Sequence, residues 1–363
     1  MMLCGSEEPT TNIFAISWCS VANLGNMEVM TPSAQQQHNS EYQLEALRDL
    51  FTRKELVEQV EAMLEEVESS DGVAAISEAF LKGINDDAGH RHIIATLGDK
   101  VVGFVTIDIN RVVELAVHPS YRHDGLAIRL IKGLKDKFDI TGAIDVWAHG
   151  DLPEAQRFVS NLDARRTREL HKMAVACPPD SSRKALFDTQ SQQAHQRAEQ
   201  LDIDVLNYTT ACERFGADVV DEEWLRVNNE AFAWHPEQGG WSLEQLQKAR
   251  EVSWFDPEGV ILIWKDDENN SRCMGFHWTK IPVNQQEEAG KRTGEVYVVC
   301  LADEARGKGM GGGITALGIE YLLKRGCSEI ELYVEGDNAP AVATYRRLGF
   351  DVVHTDVVYR GQL

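Results

Sequence analysis

Between Val298 and Gly313 the chain reads VVCLADEARGKGMGGG, an apolar stretch, a charged turn and a burst of glycines. Glycines at a helix start let an anion approach backbone N–H groups that have no partner within the helix, at an end carrying partial positive charge. These residue types suit a phosphate or diphosphate, and they also suit a plain tight turn. Two nucleotide-binding loops fit poorly. A Walker A loop needs Ser or Thr after its Lys to hold a metal ion, and here Lys308 is followed by Gly309. The Rossmann spacing is met by Gly307, Gly309 and Gly312, with Glu335 ending the next strand, but too few residues remain before Leu363 for the other strands of that fold.

The elements that position this loop occur twice. ELAVHPSYRHDGLAIRLIKGL, from Glu114, matches the run from Val298, with Arg122 on Arg306, Gly125 on Gly309 and Val117 on Leu301. Further on, DVWAHGDLPEAQRFVSNLDA matches ELYVEGDNAPAVATYRRLGF, with Trp147 on Tyr333 and Ala155 on Ala341. Upstream, IIATLGDKVVGFVTI resembles VILIWKDDENNSRCMGFHWTKI. Three blocks in one order predict two tandem copies of one fold, over about 41–177 and 201–363. The Gln- and Ser-rich stretch 178–200 reads as a linker or exposed helix. Each copy reads as helices, a hairpin, a longer strand, the glycine turn and a helix, then strand, short helix and final strand. That is an α/β fold with a mixed, mostly antiparallel twisted sheet flanked by helices.

A formal net charge of −22 argues against nucleic acid or an anionic membrane as partner. The seven cysteines are odd in number, widely spaced and without a CxxC, which favours a reducing, cytoplasmic setting. No apolar run is long enough for a membrane span, and no basic residue precedes the apolar stretch 13–24 as in a signal peptide. Residues 1–40 end in a polar stretch and are expected to be disordered. A monomer is expected. His90 and His92 in GHRHI read as exposed residues of a strand, with no further ligand to complete a metal site.

Both copies share Arg-x-x-Gly-x-Gly/Ala after an apolar strand end. This pattern resembles the diphosphate loop of GNAT-type N-acetyltransferases, in which the loop cradles coenzyme A without a metal. Asn338, Ala341, Tyr345 and Leu348-Gly349-Phe350 extend the likeness. The strings VNNEAFAWHPEQGGW, WFDPEG, GFHWTK, GEVYVV and LYVEGDNAPAVATYRRLGF resemble the mycothiol synthase family, as do ELAVHP, VWAHGDL and REL of the first copy. That resemblance implies acetyl transfer from acetyl-CoA to the cysteinyl amine of 1D-myo-inositol 2-(L-cysteinylamino)-2-deoxy-α-D-glucopyranoside, the last step of mycothiol biosynthesis.

Such a reaction needs a base for the ammonium proton, a hydrogen bond for the departing thiolate, and a donor where charge develops on the thioester oxygen. Glu295 opens the strand leading to the loop and is the candidate base, and Tyr345 is the candidate acid. The resemblance implies strand-like pairing of the coenzyme with Val299, Cys300 and Leu301. It implies phosphate contacts from Arg306, Gly307, Lys308, Gly309, Met310, Gly311 and Gly312. Further contacts would come from Asn338, Ala339, Pro340, Ala341, Val342 and Ala343. Cys300 stands where relatives commonly have glycine, and its expected role is structural. For the amine substrate the resemblance points to Glu78, Glu237, Lys280, Glu295 and Tyr333, which places the substrate between the copies.

In the first copy, Leu115, Ala116 and Val117 with His123, Asp124, Gly125, Leu126, Ala127 and Ile128 form the equivalent coenzyme surface. Leu152, Val159 and Asp163 replace Asn338, Tyr345 and Gly349 there, so this copy is expected to bind coenzyme without catalysing. Other readings stay open: a GNAT enzyme for another amine or a peptide N-terminus, a non-catalytic acyl-CoA-binding regulator, and a dinucleotide oxidoreductase.

Overall fold

The computed structural model describes residues 42–233, 238–267, 270–283 and 291–363; the N-terminal extension, residues 1–40, lies outside them. The first copy opens with β1 (Gln43–Leu47), α1 (Lys54–Asp71) and α2 (Glu78–Asn85). Val57, Val60, Met63, Leu64 and Val67 recur at helical spacing and form the buried face of α1, which Gly72 ends at φ 71°. The hairpin β2 (Arg91–Leu97) and β3 (Lys100–Ile107) turns through Gly98 at φ 60°. Then follow β4 (Val112–Val117), α3 (Leu126–Phe138), β5 (Ala143–Ala148), α4 (Pro153–Ser160) and β6 (Arg165–Ala176).

The histidines of GHRHI depart from expectation. His92 is buried and stacked on Phe104, ring centroids 5.6 Å apart, and burial pulls its pKa down to about 4. Helices cover both faces of the sheet here, so alternation along the strand does not separate inside from outside.

The stretch between the copies is α5 (Ser182–Gln200), capped by Ser181, whose hydroxyl accepts from the Lys184 N–H at 3.1 Å. It is not simply exposed: Phe187, Ser191, Ala194 and Ala198 are buried along one face. The second copy repeats the plan with β7 (Asp204–Asn207), α6 (Tyr208–Phe215), α7 (Ala217–Ala231) and α8 (Leu243–Ala249). Next come β8 (Val260–Asp267), β9 (Asn270–Lys280), β10 (Thr293–Leu301), α9 (Gly311–Lys324), β11 (Glu329–Glu335), α10 (Ala339–Leu348) and β12 (Asp351–Gln362).

The two copies share one sheet. Among the described residues twelve strands run in the order β1-β2-β3-β4-β5-β12-β6-β11-β10-β9-β8-β7. The final strands are exchanged: β12 of the second copy lies beside β5 of the first, and β6 of the first lies beside β11 of the second. Ion pairs cross the seam, Arg168–Glu335 at 2.6 Å and Lys172–Glu331 at 2.8 Å.

Parallel neighbours part in both copies. β10 and β11 pair only from Thr293–Val296 to Glu329–Leu332, and β4 and β5 only at Val112–Val113 with Asp145–Val146. Beyond those points Val299, Cys300 and Leu301 pair with β9 alone, and Leu115, Ala116 and Val117 with β3 alone. Each wedge exposes a strand edge to which an extended ligand can add. Gly275 on β9 keeps its wedge wall tight, since a Cβ there would sit 2.7 Å from the Leu301 side chain and 2.8 Å from the Cys300 carbonyl oxygen.

Candidate active site

At the end of β10 the chain turns through Gly307 and Gly309, with φ of 76° and 79°. That left-handed conformation strains residues with a Cβ. Helix α9 then starts at Gly311, where the first N–H groups have no carbonyl one turn back. Gly307, Gly309 and Gly312 have no heavy atom within 4 Å of where a Cβ would stand, so this stretch of backbone lies open to a ligand. Arg306 is half exposed and pairs with Asp303, leaving it near the loop as a loosely held cation. The turn thus presents open backbone at a helix start, the setting in which the sequence reading expects a diphosphate.

Glu295 lies upstream on β10, just before the strands part. In register it faces Lys280 of β9 on one side and Glu331 of β11 on the other. It is buried, with Lys280 Nζ 3.5 Å from its carboxylate. Burial pushes its pKa up to about 7; Lys280 opposes that rise, while Glu331 and Glu78 add to it. The same Lys280 nitrogen donates to Glu78, at the start of α2 in the first copy, at 2.6 Å. Burial pulls the lysine pKa down, but Glu295 and Glu78 outweigh it and the ammonium is held charged. The predicted residues Glu78, Lys280 and Glu295 therefore meet, across the two copies. Tyr333 is on the neighbouring strand and exposed, with Lys172 Nζ 5.7 Å from its ring centroid. Glu237 lies outside the described residues.

Tyr345 is on α10, its ring 5.9 Å from that of Phe350, and burial raises its pKa to about 12. It therefore stays protonated at neutral pH. Asn338 caps α10, its side-chain oxygen accepting from the Ala341 N–H at 3.3 Å. The Cys300 thiol is pushed well above its ordinary range by burial, which disfavours the thiolate a nucleophile would need.

Comparison with known proteins decides the family. The sequence model of the Acetyltransferase (GNAT) family matches residues 45–161 and 222–350. The chain is 54% identical to the mycothiol acetyltransferase of Corynebacterium jeikeium (strain K411), over 87% of this chain and 97% of that protein. It is 53% identical to the mycothiol acetyltransferase of Corynebacterium urealyticum, over 88% and 98%. The chain belongs to the mycothiol acetyltransferase family. Its fold is that of tandem GNAT proteins: one from the clavulanic acid biosynthesis pathway superposes at TM-score 0.60 and 15% identity, covering 88% of this chain and 98% of that one. A GCN5-related N-acetyltransferase from Sphaerobacter thermophilus gives TM-score 0.60 at 17% identity, over 88% and 95%.

Within this mycothiol acetyltransferase fold the first copy repeats the wedge with different side chains around it. A cavity of about 350 Å³ lies along Leu115, Ala116, Val117, His123, Gly125 and Ala127. Asp124 is drawn to the Tyr42 hydroxyl at 3.5 Å, and Leu126 is buried in the core, with Ile128 following it in α3. Leu152 and Val159 line the walls where Asn338 and Tyr345 stand in the second copy. Arg122 is held by Asp71 through two 2.8 Å hydrogen bonds.

The sequence reading missed four residues of the second site. Trp254 and Tyr297 flank Lys280, with ring centroids 5.3 and 5.7 Å from its nitrogen. Glu331 and Lys172 form the next pair along the same sheet. Tyr297 sits at a register shift between Val296 and Val298, and the alternation Glu295, Tyr297 was the available signal. Lys172 carried none, since only the strand exchange brings it there. Among the described residues no three His, Cys, Asp or Glu side chains group as ligands for a metal ion.

Proposed function

We propose that this acyltransferase moves acetyl from acetyl-CoA to the cysteinyl amine of 1D-myo-inositol 2-(L-cysteinylamino)-2-deoxy-α-D-glucopyranoside. The observation that carries the reading is Glu295: a buried carboxyl with a pKa near 7, beside the wedge, flanked by a lysine that a carboxylate of the other copy also holds. An α-amino group has a pKa of about 7.7–8.0, so base and substrate ammonium are closely matched for proton transfer near neutral pH.

The residues present fit an acyl-CoA. The glycine turn offers its backbone at positive φ, and the wedge edge at Val299, Cys300 and Leu301 is unpaired on the β11 side. Arg306 through Gly312 take the diphosphate, and Asn338 through Ala343 line the path of the pantetheine arm. When bound, the coenzyme supplies an activated acyl group as a thioester. The backbone N–H groups of Val299 and Leu301, which face away from β9, orient and polarise its carbonyl. Glu295 takes the proton from the ammonium, and Tyr345, protonated until about pH 12, donates to the departing sulfur. Lys280 keeps Glu295 from rising further and, with Glu78, Glu237 and Tyr333, offers the hydrogen bonds a polyol requires. The first copy binds coenzyme in its own wedge and forms one wall of the substrate cleft without turning over.

A thiol-release assay with acetyl-CoA and a panel of amines tests this. Release is expected with cysteinyl-glucosaminyl-inositol, abolished in Glu295→Ala and reduced less in Tyr345→Phe. Equal turnover of unrelated amines would replace the substrate, and unchanged turnover in Glu295→Ala would remove the base.

A further inference from the structure

The helix between the two copies, α5, has no part in the reading above. It is part of neither wedge's strands, yet it lies directly on the glycine turn. At its N-terminal end Phe187 meets Phe350, ring centroids 6.4 Å apart, just after α10. Near its middle Ala194 stands 3.2 Å from where a Cβ on Gly313 would be, so the glycine allows close approach of α5 to the first turn of α9. At its C-terminal end the Arg197 guanidinium donates to the carbonyl of Lys308, within the glycine turn, at 3.2 and 3.4 Å. The helix therefore closes the outer side of the groove that begins at the diphosphate cradle.

A cavity of about 300 Å³ remains in that groove, lined by Gln190, Gln193, Ala194 and Arg197 of α5 and by Gly309, Gly312 and Leu348 opposite. Two features of its wall stand out chemically. Arg197 is a cation whose partners are the neutral Lys308 carbonyl and the Gln200 amide oxygen at 3.3 Å, so an anion arriving at the glycine turn meets a guanidinium already in place. Gln190 has a buried side-chain oxygen without a hydrogen-bond partner. Buried acceptors of this kind are costly unless something donates to them. The two residues are seven apart, two helical turns on one face, or about 10 Å along the axis. Arg197 is at the end nearer the phosphate cradle and Gln190 is deeper, toward Leu348.

We propose that α5 is the outer wall of the coenzyme site. Arg197 pairs with a phosphate of the coenzyme's nucleotide end, and Gln190 accepts a hydrogen bond from the exocyclic amino group of its adenine, which lies against Ala194 and Leu348. The inference rests on the coenzyme reading of the glycine turn and extends it to the segment joining the copies. No covalent step is involved.

The test is calorimetric binding to the full chain, with coenzyme A, 3′-dephospho-coenzyme A and acetyl-pantetheine, which lacks the nucleotide. In Arg197→Ala and Arg197→Gln, coenzyme A should bind the second-copy site about tenfold more weakly, and Arg197→Lys should recover part of the loss. Gln190→Leu should weaken it several-fold. Acetyl-pantetheine should bind all of these variants as it binds the parent. A loss that shrinks with the dephospho ligand assigns Arg197 to the 3′-phosphate; an undiminished loss assigns it to the diphosphate. Unchanged coenzyme affinity in the Arg197 and Gln190 variants, or an equal loss for acetyl-pantetheine, overturns the proposal while leaving the coenzyme reading intact. If the parent chain binds no coenzyme A, both fall.

Discussion

At Gly307 and at His123 the two copies make the same turn. The φ angles are 76° and 68°, and two residues later Gly309 and Gly125 have 79° and 73°. Gly349 and Asp163 also correspond, at 89° and 49°. The first copy thus keeps left-handed conformations with side chains that dislike them, at a cost of the order of 1 kcal/mol each. What it has not kept is the chemistry. The β3–β4 pairing has no register shift, whereas β10 shifts at Tyr297 against β9. Arg122 is locked onto a buried Asp71, while Arg306 stays exposed. The backbone of a wedge is set by strand splay and turn geometry, while the side chains around it differ between the copies.

The strongest way to sharpen this contrast is at the base. Glu295→Gln should lower kcat by about 10²- to 10⁴-fold, the range for losing a general base. The ionised carboxylate is the working form, so kcat/KM in the parent should rise with pH through about 7, and the variant should lack that limb. Lys280→Met comes next. Lys280 lowers the Glu295 pKa, so its removal should move the limb about one unit toward alkaline pH and cut the rate at pH 7 about fivefold. A pH–rate profile distinguishes this from simple loss of substrate contact, which would leave the limb in place.

A matched pair probes the turns themselves. Gly309→Ala and Gly125→Ala meet no atom within 4 Å, so both carry only the strain of positive φ and should lower the melting temperature similarly. The acetyl-CoA KM should rise about tenfold in Gly309→Ala and stay within twofold in Gly125→Ala. Equal kinetic effects would mean that both wedges serve turnover.

The smallest effect is a pH dependence of stability at the seam. His149 lies 3.2 Å from Glu114 and 3.3 Å from Asp356 of the exchanged strand. Burial would push its pKa down, but the two carboxylates outweigh that and raise it to about 9. The folded value exceeds the unfolded value of about 6.5. Its contribution, on the order of 3 kcal/mol, is therefore complete below about pH 6.5 and lost as pH rises through about 9. Thermal melts of the parent should decline across that window and those of His149→Gln should decline less.

Much of this was legible in the sequence. Lys280 and Glu78 beside Glu295 were named only by the family resemblance, while the repeat and the glycine turn follow from local pattern. The seam did not, because β6 and β12 each read as an ordinary final strand and nothing local states which neighbour a strand will choose. Nor did the face of α5, whose buried positions at Ser191, Ala194 and Ala198 are small or polar and give almost no periodic signal. His92 was misread because alternation along a strand does not separate inside from outside where the strand is covered on both faces; α2, through Gly83, and Phe104 cover the His92 side.

The crossing of β6 and β12 carries a lesson about inheritance. Two tandem copies joined only by a connecting helix would ordinarily be free to separate. Here the second copy takes the strand beside β11, with Lys172 next to Glu331, from the first, and lends β12 in return. Deleting either partner would strip hydrogen bonds from the middle of the other, so the two are bound to persist together.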